Sequence, residues 1–252
     1  MKLVRFLARD RSAYGILNGD EVAELDGDFF TSFKTLKACH ALSNVKLLAP
    51  CEPSKVVAVG LNYRDHAREM GLPIPEEPIL FLKPPTTVIG HEAAVVCPEE
   101  SSEVHYEAEL AIVIKDRIRG ISPEDARGHI LGYTCANDVT ARDLQRKDGQ
   151  WTRAKSFDTF CPLGPWIETE LNPDDLLVES YVNGAQRQSS RTSQFIFTVD
   201  RMVSFISHVM TLLPGDVILT GTPAGIGPIK PGDVVEVRVE GIGSLKNPVI
   251  AK

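Results

Sequence analysis

The 252-residue chain is 43% hydrophobic and 24% charged, a balance that supports one sizeable core and excludes disorder or a repeat array. Its 34 acidic residues outnumber 27 basic ones for a net charge of −7, and no run of Lys and Arg would track a phosphate backbone, which argues against nucleic acid as a partner. Charges every few residues in MKLVRFLARDRSAYG exclude a signal peptide, no later stretch reaches membrane-spanning length, and five spaced cysteines lack a CxxC pair, so the expectation is a cytoplasmic protein with reduced thiols and no membrane partner.

In chain order, residues 4–25 read as a hairpin in which Tyr14-Gly15-Ile16-Leu17 is followed by the tight-turn pair Asn18-Gly19 and then Val22 and Leu25. Pro50 and Pro53 precede the apolar run Val56-Val57-Ala58-Val59, which puts a boundary near residue 52, between a small β-rich unit (1–52) and a larger unit (53–252). His66 to Met70 suits one short helical turn ended by Gly71. Leu110 to Ile114 is a short apolar run suited to a buried strand. Ser122-Pro123-Glu124-Asp125 carries the cap, first-turn proline and acid of a helix start. A short helix is expected at Asp138, with Asp138 and Arg142 four apart and Gln145 three further on. Residues 202–213 place Met202, Phe205, Ile206, Val209 and Leu213 on one helical face before Pro214-Gly215. Val235, Val237 and Val239 alternate with charged residues as in a half-buried strand. With no strand-helix-strand rhythm, the expected class is mixed β-rich (α+β) with a few short helices.

Certain polar residues stand where chemistry could use them. His66 and Glu69 are spaced i, i+3, so the carboxylate can orient the imidazole and raise its basicity; spacing alone describes a surface ion pair equally well. Glu107 and Glu109, two apart on a strand, share a face that runs on into Ala111 and Val113. An ordinary E-x-E is a solvated strand end, but carboxylates beside a buried surface repel unless a cation or shared proton joins them. Oxygen ligands without His or Cys favour Mg²⁺ or Mn²⁺ over zinc. Taken alone, Asp138, Arg142 and Gln145 form a helix surface group, and Lys155 is a solvated lysine near aromatics. The run Gly221 to Gly227 lacks the spacing of a nucleotide loop, and His91-Glu92 lacks the second histidine of a helical zinc site.

Six segments, GLNYRDHAREMG, FLKPPT, HYEAELAIVI, NDVTARDLQ, WTRAKSFDTFCPLGP and GDVILTGTPAGIGP, stand in the order seen in the fumarylacetoacetate hydrolase family. From about residue 55 to 230 the chain resembles its short bacterial and acylpyruvase-like members, and the N-terminal unit resembles the small extra domain that many carry. The resemblance implies a β-sandwich roll and a homodimer. It implies one Mg²⁺ or Mn²⁺ per chain on Glu107, Glu109 and Asp138, a catalytic His66–Glu69 dyad on a mobile lid, and Lys155 as the active-site lysine. Arg142, Gln145 and Thr222 match positions that contact substrate. The implied function is metal-dependent chemistry on small 2-oxo acids: carbon–carbon hydrolysis of 2,4-dioxo acids of the acylpyruvate or fumarylacetoacetate type, through an enolate stabilised by the metal. Isomerisation of 2-hydroxyhepta-2,4-diene-1,7-dioate, from aromatic catabolism, and decarboxylation or tautomerisation of oxaloacetate use the same enolate. A catalytically silent ligand-binding protein would keep the fold. The chain departs from the family pattern in the lid after Met70 and in residues 146–150, which leaves substrate choice open.

Overall fold

The computed structural model describes residues 1–252, and its secondary structure is dominated by strands, the mixed β-rich class expected. The strand Ala108–Ile114 is buried along its whole length. Ala108, Leu110, Ile112 and Ile114 enter one core with Val178, Val237, Val239 and Leu245. Ala111 and Val113 enter a second core with Leu163, Ile167 and Val217. Alternate residues leave opposite faces, so a strand with a core on each side reads as a continuous apolar run. It lies between Ile130–Asn137 and Val217–Leu219 inside a 12-stranded sheet. Against the first core packs a five-stranded sheet of Val95–Cys97, Leu177–Val182, Ala185–Arg191, Val234–Val239 and Gly243–Ala251, which completes a sandwich. A small third sheet joins Val104–Tyr106, Thr140–Ala141 and Gly227–Ile229.

The N-terminal strands Lys2–Ala8, Arg11–Asn18, Glu21–Gly27 and Phe33–Ala41 form a meander. Its second turn is centred on Gly19-Asp20, one residue beyond the expected Asn18-Gly19, because Asn18 pairs with Glu21 and Leu17 with Val22. That register buries Leu17 and Val22 together with Val4 and Phe6, and a one-residue slip would undo it. Lys2 and Leu3 pair with Glu168 and Ile167, so these strands extend the large sheet.

Four helices are short: α1 (Arg64–Met70), α2 (Arg142–Asp148), α3 (Thr152–Lys155) and α4 (Val199–Val209). The helix expected over 202–213 is therefore α4, shifted toward the N-terminus. Thr198 accepts a hydrogen bond from the Arg201 amide and starts it early. The paired backbones of Leu212 and Ile118 end it early and leave Val209 52% exposed. The helix expected from Ser122 is only a 3₁₀ turn, Ala126–His129. Ser122 does accept from the Asp125 amide, but Gly128 is a poor helix former and the chain enters the strand Ile130–Asn137 directly. Asp138 also lies outside any helix, between Asn137 and the start of α2, so it shares no helical face with Arg142. No helix is long and apolar enough to cross a membrane.

Candidate active site

Glu107 sits at the junction of Val104–Tyr106 and Ala108–Ile114. Its carbonyl accepts from the Asp138 amide, and its own amide donates to the Asn137 side chain at 2.9 Å. The neighbouring strand pairs Ala108 with Asn137 and Glu109 with Ala136. One register thus brings Glu107, Glu109 and Asp138 together, all buried, with carboxylate oxygens within 4.8 Å of one another. The same-face argument for the two glutamates is realised, and Asp138 joins them by strand pairing.

Three cations surround the carboxylates. Lys155 Nζ donates to Glu107 Oε2 at 2.9 Å and Asp138 Oδ2 at 2.6 Å. Arg142 donates to Glu107 Oε1 and, at 2.5 Å, to Gln145 Oε1. Lys83 donates to Asp138 Oδ1 and, at 3.2 Å, to the Val139 carbonyl. Reading the sequence assigned Lys83 no role. The signal was a lysine closing the apolar run Leu80–Lys83 just before two prolines, where full burial requires a carboxylate partner.

Glu109 has no such cation, only the Gly221 amide at 2.6 Å. Burial, with Asp138 and Glu107 adding to it, pushes its carboxyl well above the usual range. Burial would raise Glu107 too, but Lys155 and Arg142 hold it well below that range. Burial opposes the charge on Lys155, and Asp138 and Glu107 overcome it, so its ammonium is held more firmly than usual. An oxygen-only donor set with one buried carboxylate hydrogen-bonded to no cationic side chain fits a hard divalent cation.

On α1, His66 Nδ1 lies 2.8 Å from Glu69 Oε2; the imidazole is buried and the Glu69 side chain is 37% exposed. Glu69 Oε1 accepts from the Gly225 amide at 2.9 Å. Gly221 and Gly225 are left-handed, at φ 93° and 99°, and a Cβ at Gly221 would fall 2.9 Å from that of Asn62, so the segment needs these glycines. The glycine-rich run set aside as a nucleotide loop therefore carries one amide to the carboxylate cluster and another to the dyad. Thr222 Oγ1 donates to the Ala108 carbonyl at 2.9 Å and accepts from Gln188 Nε2, while Gln188 Oε1 accepts from the Ala108 amide. These two side chains clamp the backbone of Ala108, between the glutamates; Gln188 carried no signal in the sequence. His91 accepts from the Lys246 amide at 3.1 Å.

The family model described as fumarylacetoacetate (FAA) hydrolase C-terminal matches residues 55–250, and an Rv2993c-like N-terminal model matches residues 1–50. The chain belongs to the fumarylacetoacetate hydrolase family. A structure of 5-carboxymethyl-2-hydroxymuconate delta-isomerase from Mycobacterium smegmatis is similar at 48% identity and a TM-score of 0.95, with both chains fully covered. A maleylpyruvate hydrolase from Sphingobium sp. SYK-6, in complex with manganese(II) and pyruvate, is similar at 30% identity and a TM-score of 0.83 over 100% of this chain and 99% of that one. A mitochondrial oxaloacetate tautomerase of Xenopus laevis is 44% identical over 82% of this chain and 69% of its own. Hydrolase, isomerase and tautomerase members of the fumarylacetoacetate hydrolase family thus all stand near this chain.

Proposed function

We propose that this member of the family is a divalent-metal-dependent enzyme that hydrolyses a carbon–carbon bond of small 2,4-dioxo acids. The observation that carries the reading is the buried His66 paired with Glu69, which is hydrogen-bonded through Gly225 to the same loop whose Gly221 holds Glu109. Glu107, Glu109 and Asp138 would hold one Mg²⁺ or Mn²⁺, which supplies Lewis-acid polarisation of the substrate's 2-oxo group. The neighbour that holds manganese(II) and pyruvate supports such a site. Since the Glu69 carboxylate accepts from Nδ1–H, it leaves the His66 Nε2 lone pair free as a base. His66 takes a proton from water, and the hydroxide adds to the distal carbonyl carbon. The bond between that carbon and the 2-oxo fragment breaks, and its electron pair leaves as an enolate that is then protonated. Lys155 offsets charge developing on oxygen. Arg142 and Gln145, paired beside Glu107, would orient a substrate carboxylate.

A second reading is favoured by the comparisons, in which the isomerase and the tautomerase are more identical to this chain than the hydrolase is. In it His66 moves a proton along the carbon skeleton and no water adds. Mass spectrometry separates the two, because hydrolysis adds water and yields two fragments while isomerisation leaves the mass unchanged. A general base contributes ~10²–10⁴-fold, and acylpyruvate hydrolysis is expected to fall by that factor in His66→Ala. An unimpaired rate would remove the dyad from the mechanism, and absence of turnover on every 2-oxo acid tried would leave a ligand-binding protein.

A further inference from the structure

Around the strand Val104–Tyr106, residues two apart leave the backbone on one side, so Glu103, His105 and Glu107 stand in a row, and His105 Nε2 lies 2.9 Å from Glu103 Oε1. Val104 pairs with Ala141 and His105 with Thr140, and the Arg142 amide donates to the Glu103 carbonyl at 2.7 Å, which extends that register by one pair. Directly opposite residues share a face, so the Arg142 side chain starts beside Glu103. Its guanidinium ends on Glu107, at the far end of the row, and the side chain therefore runs past His105. Arg146, one turn further along α2, also donates to Glu103 and holds the helix over the same face.

Two buried polar atoms in this row have no hydrogen-bond partner. Arg142 commits Nη1 to Gln145 and Nη2 to Glu107, and its Nε–H is left over. His105 commits Nε2 to Glu103, and its Nδ1 is left over. Buried polar groups of folded proteins are nearly all paired, and here one atom is a donor and the other can accept. A carboxylate only accepts, so the contact with Glu103 puts the imidazole proton on Nε2 and leaves a lone pair on Nδ1. Burial first, and then the Arg142 charge, push the imidazole pKa down against the pull of Glu103, and a cation held by Glu107 would push the same way.

We infer that His105 is a positioning residue, whose Nδ1 accepts from Arg142 Nε–H and fixes the plane of the guanidinium. With Nε, Nη1 and Nη2 each held once, Arg142 keeps two N–H groups in a set orientation for an oxygen of the ligand. That consequence, unlike the hydrogen bond itself, rests on the reading of Arg142 as a contact for the substrate carboxylate.

The hydrogen bond is tested in the metal-free wild type by ¹⁵N NMR, with the His105 ring and the Arg142 side chain assigned by triple resonance, so that this arm needs no variant. Nδ1 is expected to carry no proton, and the Arg142 Nε–H signal is expected to persist at pH 8, where the Nε–H groups of solvent-exposed arginines exchange away. A proton on Nδ1, or an Arg142 Nε–H that exchanges as an exposed one does, overturns the inference. Two substitutions then separate the ring nitrogens, because Asn places its side-chain oxygen near the position of Nδ1 and Gln its amide nitrogen near that of Nε2. Oxalate binding to the Mg²⁺-loaded protein, measured by calorimetry, is expected to weaken about 10-fold in His105→Gln, the loss that removing a partner of a site residue supplies, and to be largely kept in His105→Asn. The reverse order, or equal effects in both, would show that His105 acts through Glu103 or through packing alone, and overturns the positioning role. Arg142→Ala is the reference: if it binds oxalate as the wild type does, or if nothing binds oxalate, the reading of the site fails, and the NMR result by itself decides for or against the pairing of His105 with Arg142.

Discussion

Glu107, Glu109 and Asp138 bring carboxylate oxygens within 4.8 Å of one another, yet each carboxylate has a different partner set. Asp138 is held by two lysines, Glu107 by Lys155 and Arg142, and Glu109 by one backbone amide. The difference predicts opposite responses to substitution. Glu109→Gln removes a group whose ionised form its two acidic neighbours oppose, so the chelated protein should melt at or above the wild-type temperature. The rise in melting temperature that Mn²⁺ gives the wild type should vanish in this variant. Lys83→Met strands Asp138 in the core without one of its cations, and breaking a buried pair costs about 3–5 kcal/mol. Its metal-free stability in denaturant should fall by that order. A chelated Glu109→Gln protein much less stable than the wild type, or Lys83→Met as stable as it, would contradict this electrostatic account.

Two short helices deliver site residues, and each is anchored at its start rather than by its length. On α2, Asp143 accepts from the Ser101 hydroxyl at 2.6 Å, the Ser102 amide at 3.0 Å and the Leu144 amide at 2.9 Å, which ties the helix carrying Arg142 and Gln145 to the loop before Val104–Tyr106. Burial alone would raise this carboxyl, but these hydrogen bonds bring it down to about 2 from 3.8. A depressed value in the folded state means that the ionised form contributes stability above the unfolded value and loses it as pH falls toward 2. The stability gap between wild type and Asp143→Asn in denaturant should therefore be full at pH 6 and shrink between pH 4 and pH 2. A gap independent of pH would show that the carboxylate charge contributes nothing. On α1, Asp65 accepts from the Ser190 hydroxyl and Glu69 from Gly225, while residues 71–78 beyond it are mostly exposed and lack regular structure. Segments with few buried contacts open most readily, and active-site lids are drawn from them. Hydrogen exchange over residues 66–80 is expected to slow with Mn²⁺ and oxalate; equal protection with and without the ligand would speak against closure.

Across the whole molecule, the N-terminal meander and the site share one sheet. The strand Lys2–Ala8 pairs with Cys161–Glu168, which pairs in turn with Ile130–Asn137, the strand that ends one residue before Asp138. Removing residues 1–52 would unpair the sheet at Ile167 and Glu168 and strip Leu3, Leu25, Phe29, Ala49 and Cys51 from the core they share with Leu163 and Ile167. The truncated chain is expected to melt lower and to aggregate, as light scattering during a thermal melt would show; a shortened protein as stable and soluble as the full chain would mean that the shared sheet is dispensable. By itself the sequence determined what local pattern controls: the β-rich class, the buried strand at Leu110 to Ile114, the shared face of Glu107 and Glu109, and the His66–Glu69 pair. Each depends on a period of two or of 3.6 residues, which neighbours in the chain set between them. The rest was decided by contacts between distant segments. Leu17 packing on Val22 moved the turn to Gly19-Asp20, and pairing of Leu212 with Ile118 ended α4. Sheet register carried Asp138 to the glutamates, and only the assembled core made Lys83 a partner for it and gave Gln188 a peptide to clamp. Burial and partner geometry are properties of segments far apart in the chain, 112 residues for Gly221 and Glu109 and 156 for Glu69 and Gly225, and no local pattern encodes them.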